Sequence, residues 1–178
     1  MDNTDAKIIV ETERLILREV TEADAAFINA LLNTEGFLKY IGDRGVRTDD
    51  EARVFIRDRY RKSYSDNGYG LYTVIQKSDG VPIGVCGFVR RDTLPGPDIG
   101  FAFLPEHERK GFGLESASAM MDHGRDHLGF EEVYAITTIT NGPSMRLLEK
   151  LGFHFLEESA DADGTRLNVF LHSETEPD

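Results

Sequence analysis

The 178-residue chain has a single cysteine, Cys86, so an intrachain disulfide is excluded. Its histidines, His107, His123, His127, His154 and His172, show no metal-ligand spacing. His123 and His127 are i, i+4 but lack the HExxH pattern, and they read as the solvent side of a helix. No run of about 18 apolar residues occurs, and the opening MDNTDAKIIVETERL never builds a signal-peptide apolar segment. Positive charge is also scarce. Lys and Arg number 20 against 32 Asp and Glu, a formal net charge of −12, the opposite of what a nucleic-acid surface needs. These absences predict a cytoplasmic protein with no metal, no membrane span and no nucleic-acid partner. The acidity either favours cationic ligands such as amines or serves solubility alone.

Two nucleotide-binding patterns are missing as well. No G-x-G-x-x-G follows a first strand, and no Walker A sequence is present, so neither a doubly wound dinucleotide fold nor a P-loop is expected. The chain is long enough for a real core, and 40% hydrophobic with 29% charged residues is ordinary for one globular domain, here residues 1–178.

Residues 1–10 read as a loose lead-in. ETERLILREV then alternates Leu15 and Leu17 against Arg14 and Arg18, the period of a half-buried strand. Thr21 with Asp24 resembles a capping box before a helix carrying Ala25, Ile28, Leu31 and Leu32. Residues 33–47 are punctuated by glycine and mix aromatic with charged side chains. Thr48 with Glu51 opens a second helix bearing Val54, Phe55, Arg59 and Tyr60, which Asn67-Gly68 ends.

Residues 70–76 and 83–90 flank KSDG as a hairpin, and residues 98–104 form the next strand. A helix after Gly113 places Leu114, Ala117, Met121, Gly124 and Leu128 on one face. Residues 133–138 are a short buried strand. Asn141 begins another helix, with Pro143 early and Gly152 just past its end. Residues 153–157 and 165–171 close the chain as two strands. The predicted order is β-α-α-β-β-β-α-β-α-β-β, a mixed α/β (α+β) fold with a core of 11–172 and flexible ends at 1–9 and 173–178.

The most informative stretch is LPEHERKGFGLES, residues 104–116. A strand end, a charged turn, two glycines two apart and a helix start aim backbone N–H groups and a helix dipole at one place. That suits an anion, and glycine lets a ligand approach the backbone closely.

Strand, RKGFG, helix, buried strand and NGPSMRLLEKLGF, in that order, resemble the GNAT acetyltransferases. The likeness is to the branch of ribosomal-protein N-terminal (RimJ/RimL-like) acetyltransferases and covers residues 11–158. ETERLILRE, PIGVCGF and DIGFAFLPE add to it. Gly111 and Asn141 of the two signatures lie thirty residues apart, separated by one helix and one strand, and the pair is far more specific than either alone.

The resemblance implies a twisted mixed sheet whose fourth and fifth strands splay apart, with acetyl-CoA as cosubstrate in the gap. The backbone through Phe101, Phe103 and Leu104 would bond the pantetheine amides like an added strand. The turn of Arg109, Lys110, Gly111, Phe112, Gly113 and Leu114 would take the pyrophosphate, and Arg109 and Lys110 are either its cations or solvated surface charges. Asn141 would contact the pantetheine arm while capping its helix. Ser144 would lie near the thioester sulfur. Two positions depart from the family pattern. Glu108 stands where Gln or Arg is common, and Leu148 where many members have a general-acid tyrosine. Ser144 or a water is then the local donor, and a thiol of pKa about 8.5 needs little help to leave.

The implied reaction is direct attack of a primary amine on the thioester, with no acyl-enzyme, because no activated nucleophile is visible. A lysine-like amine costs roughly 4–5 kcal/mol to present neutral at pH 7, an α-amine about 1–1.4 kcal/mol. A modest base suffices for the latter. Asp98, where relatives often carry Glu, is the first candidate, although it is also placed as a turn residue after Pro97. Glu115 is the second candidate, although it also complements the helix dipole. The acceptor is a protein N-terminal α-amine or a small-molecule amine. Residues 33–47 and the second helix would form its side of the site, and Phe37, Tyr40, Tyr69 and Tyr72 line its pocket or pack in the core. A homodimer is a family-level expectation. A non-catalytic acyl-CoA sensor is the rival reading, kept open by Glu108 and Leu148.

Overall fold

The computed structural model describes residues 6–175, and strand residues 83–88 are buried at six consecutive positions because helices cover both faces of the sheet. The strands are β1 (Ile8–Glu11), β2 (Leu15–Glu19), β3 (Leu71–Gln76), β4 (Val81–Val89), β5 (Asp98–Phe103), β6 (Glu132–Thr138), β7 (His154–Ala160) and β8 (Arg166–Ser173). They make one sheet in the order β1-β2-β3-β4-β5-β6-β8-β7, antiparallel except where β5 meets β6. Both faces are covered. On one lie α5 (Phe112–His127) and α6 (Gly142–Lys150), packing Phe112, Ala117, Met120 and Leu148 onto Leu15, Leu17, Ile83 and Phe88. The other face carries α1 (Ala25–Leu32), α2 (Glu35–Tyr40), α3 (Asp49–Phe55) and α4 (Lys62–Asn67), whose core includes Ile28, Leu31, Ile56 and Tyr60 against Val85.

Several expectations need correction. The lead-in is not wholly loose: Ile8-Ile9-Val10 pairs with β2 as an edge strand, its β-branched run completed by a neighbour that only tertiary pairing supplies. Residues 1–5 and 176–178 lie outside the described residues, and Ser173 ends β8. Residues 33–47 contain a short helix, α2, where the Thr34 hydroxyl accepts the Phe37 N–H at 3.2 Å. Its six residues leave too little periodicity to outweigh Gly36.

The second helix is interrupted by a π-helical turn (Ile56–Arg61) between α3 and α4. Along this segment Ala52, Ile56 and Tyr60 are buried, while Val54 is 46% exposed. In α5 Met121 packs half-buried against the core, and Met120 beside it is fully buried. Arg18 was placed on the wet side of its strand, yet it is buried: its guanidinium donates at 2.8 Å to each oxygen of Asp24. The same carboxylate accepts the Thr21 N–H at 2.9 Å, so the expected capping box is also an ion-pair anchor.

The strands expected to splay are β5 and β6. β5 pairs with β4 from Val89↔Asp98 to Gly84↔Phe103, but with β6 only at Asp98↔Tyr134. β7 is the far edge of the sheet and leaves Phe155 and Leu156 exposed. Among the described residues, no helix is long and apolar enough to cross a membrane, and no group of three or more acidic, His or Cys side chains is arranged to hold a metal.

Candidate active site

The gap between β5 and β6 opens from one vertex. There the Tyr134 N–H donates to the Pro97 carbonyl at 2.9 Å, and beyond Asp98 the strands diverge. β6 is paired on its far side with β8 as far as Thr138↔Leu167. The β5 backbone groups of residues 99–103 that face β6 therefore have no strand to bond. An internal sheet edge of this kind is built to accept an extended, amide-bearing ligand. Alternation sends Ile99, Phe101 and Phe103 to the α5/α6 face, and Ala102 and Leu104 to the α1–α4 face.

At the mouth, a 3-10 turn (Pro105–His107) leads into the glycine turn. Gly111 is left-handed (φ 82°), and Arg109 (φ 60°) is the one non-glycine with positive φ among the described residues. No side chain caps α5 at Gly111, so its first N–H groups face outward. Arg109 and Lys110 are exposed, as is Glu108. Gly113 serves a different need. A Cβ there would lie 3.3 Å from Leu147 and 3.8 Å from Phe103, so the glycine lets α5 close onto α6 and β5.

The turn is held from the β1–β2 connection. The Arg14 Nε donates to Glu115 at 2.8 Å, its Nη1 to the Lys110 carbonyl at 3.0 Å, and its guanidinium stacks 4.4 Å from the Phe112 ring. Glu115 also accepts from the Thr12 hydroxyl at 2.7 Å and from the Arg14 N–H at 3.2 Å. Burial pushes the Glu115 carboxyl up, but these hydrogen bonds outweigh it and leave its pKa below the ordinary value. Its oxygens are committed to this clamp.

Along the walls, Asn141 caps α6, accepting the Ser144 N–H at 3.2 Å, while its own N–H donates to the Thr138 carbonyl. Ser144 is half-buried in the first turn of α6, and Leu148 is core at 1% exposure. Three buried side-chain atoms have no hydrogen-bond partner among the described residues: His107 Nδ1, Thr137 Oγ1 and Thr138 Oγ1. Buried polar atoms are normally paired. His107 lies in the turn after β5, and Thr137 and Thr138 on the half of β6 beyond its pairing with β5, their side chains on opposite faces of the sheet.

At the vertex, Asp98 is 2% exposed, and both of its oxygens accept from the Arg91 Nε at 3.2 Å. Burial dominates the nearby positive charge and pushes its pKa up to about 6. Cys86 is core, its thiol pushed up to about 12 by burial, which leaves it inert at neutral pH. Phe37 and Tyr72 are core, Tyr72 stacking on Tyr64, while Tyr69 packs edge-on against Phe88 and Phe130. Tyr40 is half-buried beneath Lys39.

An open internal edge, a left-handed glycine turn and a helix start at one end of the same strand match a named domain: residues 14–154 fit the acetyltransferase (GNAT) domain. The chain belongs to the GNAT acetyltransferase family. It is 28% identical over 173 residues to the uncharacterized N-acetyltransferase YoaA of Bacillus subtilis, covering 95% of this chain and 97% of that one. Its fold is shared with a GNAT-family acetyltransferase of Bacillus anthracis at TM-score 0.78 and 21% identity, covering 94% and 99% of the two chains. RimL, named a ribosomal L7/L12 alpha-N-protein acetyltransferase, superposes at TM-score 0.80 with 14% identity, covering 94% of each chain.

The GNAT frame makes plain which residues the sequence did not single out. Arg14 lay within the quoted ETERLILRE but read only as the wet side of a strand. Arg91 was an unremarked turn residue. Thr137 and Thr138 were two more β-branched strand positions, and only an unpaired hydroxyl distinguishes them. A shallow, open surface groove of about 600 Å³ beside Arg57, Arg61 and Lys62 lies elsewhere. Its cations are matched by Glu22, Glu19 and Asp66, and it has no role in the GNAT cleft.

Proposed function

We propose that this chain is an acetyl-CoA-dependent N-acetyltransferase that moves the acetyl group to a primary amine by direct attack. One observation carries the reading: β5 meets β6 only at Asp98↔Tyr134, which leaves the backbone edge of residues 99–103 free to bond an extended, amide-bearing ligand. The pantetheine arm lies along Phe101, Phe103 and Leu104, within reach of Asn141. The diphosphate sits on the turn of Arg109, Lys110, Gly111, Phe112, Gly113 and Leu114.

Acetyl-CoA supplies the activated acyl group, and a C–N bond forms as the C–S bond breaks. Asp98 takes the amine proton, directly or through one water. With a pKa of about 6 it is largely ionised at neutral pH, yet a stronger base than an ordinary carboxylate. Ser144 donates a hydrogen bond to the departing thiolate. Glu115 is reassigned from second-choice base to holding the turn, since Thr12 and Arg14 engage its oxygens. An α-amine is the favoured acceptor, on its lower deprotonation cost and on the name of the RimL neighbour.

The test is free-thiol release from acetyl-CoA with a panel of small amines and N-terminal peptides, beside CoA binding measured separately. Acceptor-dependent release is expected. Tight CoA binding with no release across the panel would replace the enzyme with the acyl-CoA sensor that buried Leu148 keeps in play.

A further inference from the structure

Two Arg–Asp pairs with a buried carboxylate stand on this sheet, and they are built differently. In the first, Nη1 and Nη2 of Arg18 each donate to one oxygen of Asp24 at 2.8 Å, and both side chains are buried. The Thr21 N–H and the Thr73 hydroxyl bond the same carboxylate, at 2.9 and 3.3 Å. That pair is closed, its hydrogen-bonding capacity used inside the fold.

The second pair, at the cleft vertex, is open. A single donor, the Arg91 Nε–H, lies 3.2 Å from each oxygen of Asp98, and no other side chain bonds that carboxylate among the described residues. A carboxylate offers about four lone-pair positions, so one shared N–H fixes its plane and leaves acceptor capacity on both oxygens. The Arg91 side chain is 44% exposed, reaching from the loop between β4 and β5 to a carboxylate that is itself buried. Asp98 is also the residue at which β5 and β6 part.

The other neighbours leave this charge to Arg91. Val89 of β4 stands opposite Asp98, with the exposed Arg90 next along. Tyr134 of β6 turns its hydroxyl to Glu132 at 3.3 Å. Tyr69, packed on the Phe88 ring, is a neutral phenol that burial holds above its ordinary pKa. Burial pushes the Asp98 carboxyl up, and the charge and hydrogen bond of Arg91 oppose it.

We propose that Arg91 is a positioning residue of the acetyl transfer, whose Nε–H holds the Asp98 carboxylate in one plane and in its charged, proton-accepting form where the open edge begins. The proposal rests on Asp98 as the base and adds what lets so buried a carboxylate serve. Once Asp98 has taken the amine proton, Arg91 faces a neutral acid, which favours passing that proton on to water.

Arg91→Gln and Arg91→Lys test it, with kcat/KM followed against pH beside the wild type. In Arg91→Gln the acidic limb should move up by about one pH unit or more, a loss of about tenfold at pH 5 that nearly vanishes by pH 9. Arg91→Lys keeps the cation and should recover most of the wild-type profile, and KM for acetyl-CoA should stay unchanged in both. The Asp98 carboxyl carbon, titrated by NMR, should show the same displacement without turnover. A loss equal at every pH, or an Asp98 titration that Arg91→Gln leaves in place, would overturn the proposal while leaving Asp98 as the base. An acidic limb that survives Asp98→Asn would remove both.

Discussion

The two ends of the cleft are built in opposite ways. At the donor end, consecutive residues do most of the work: a left-handed glycine, an uncapped helix start and a close-packing Gly113 all lie within residues 111–113. The turn is clamped by Arg14, Thr12 and Glu115 before any ligand arrives. At the acceptor end, the buried Asp98 carboxylate meets Arg91 from the loop before β5, yet burial keeps its pKa above that of an ordinary carboxylate. One end is clamped by several hydrogen bonds, and the other holds a carboxylate that burial keeps ready to take a proton. A shared donor needs the first kind of site, and an acceptor amine needs the second.

The largest expected effect is at the vertex. Asp98→Asn should lower kcat by about 10²–10⁴ if Asp98 is the base. For the wild type, kcat/KM should fall about tenfold per unit below a pH of about 6, and this acidic limb should vanish in the variant. A variant of near-normal rate and unchanged pH profile would move the base elsewhere. Linkage gives a second readout. The folded carboxyl binds its proton more tightly than the unfolded one, so it costs stability as pH rises from about 4 to about 6. Melting temperatures should fall over that window in the wild type and less in Asp98→Asn.

At the donor end, Gly111→Asp combines left-handed strain with a Cβ only 3.3 Å from Arg14 and a negative charge at the diphosphate turn. CoA affinity should fall by about 10–100-fold, read by calorimetry. An unchanged affinity would place the diphosphate elsewhere. Milder still is Arg14→Ala, which should raise KM for acetyl-CoA several-fold, roughly the 1–2 kcal/mol of a charged hydrogen bond, with little change in kcat. Glu115→Gln should follow the same KM pattern. A collapse of kcat with altered pH dependence in Glu115→Gln would instead make Glu115 the base and blur the contrast between the ends.

Smallest is Thr137→Val. Its hydroxyl is buried without a partner, so the ligand-free protein should keep or slightly gain thermal stability, while CoA binding weakens a few-fold. Loss of stability without loss of affinity would mean that the hydroxyl is satisfied within the fold.

Helix boundaries and the glycine turn were legible in the chain, because caps, glycine turns and helix starts are local events. Asn141 capping α6, Thr48 with Glu51, and Gly68 closing α4 all follow from a few adjacent residues. Failures cluster where a local signal was weak or a partner was remote. β1 needs β2 to become a strand, and Arg18 needs Asp24 to be buried. Asp98 was singled out in the chain, but its partner Arg91 was not, because it looks like an ordinary loop charge.

By itself, the sequence determined the succession of strands and helices around the cleft, the glycine turn at 111–113 and the family, since these rest on short-range periodicity and motif spacing. Only the tertiary structure decided which charges meet. Arg14 and Glu115 are 101 residues apart, and they touch because the sheet brings the β1–β2 turn under α5. In the same way the fold brings Thr73 to 3.3 Å from the Asp24 carboxylate that Arg18 holds, although 49 residues separate the two in the chain.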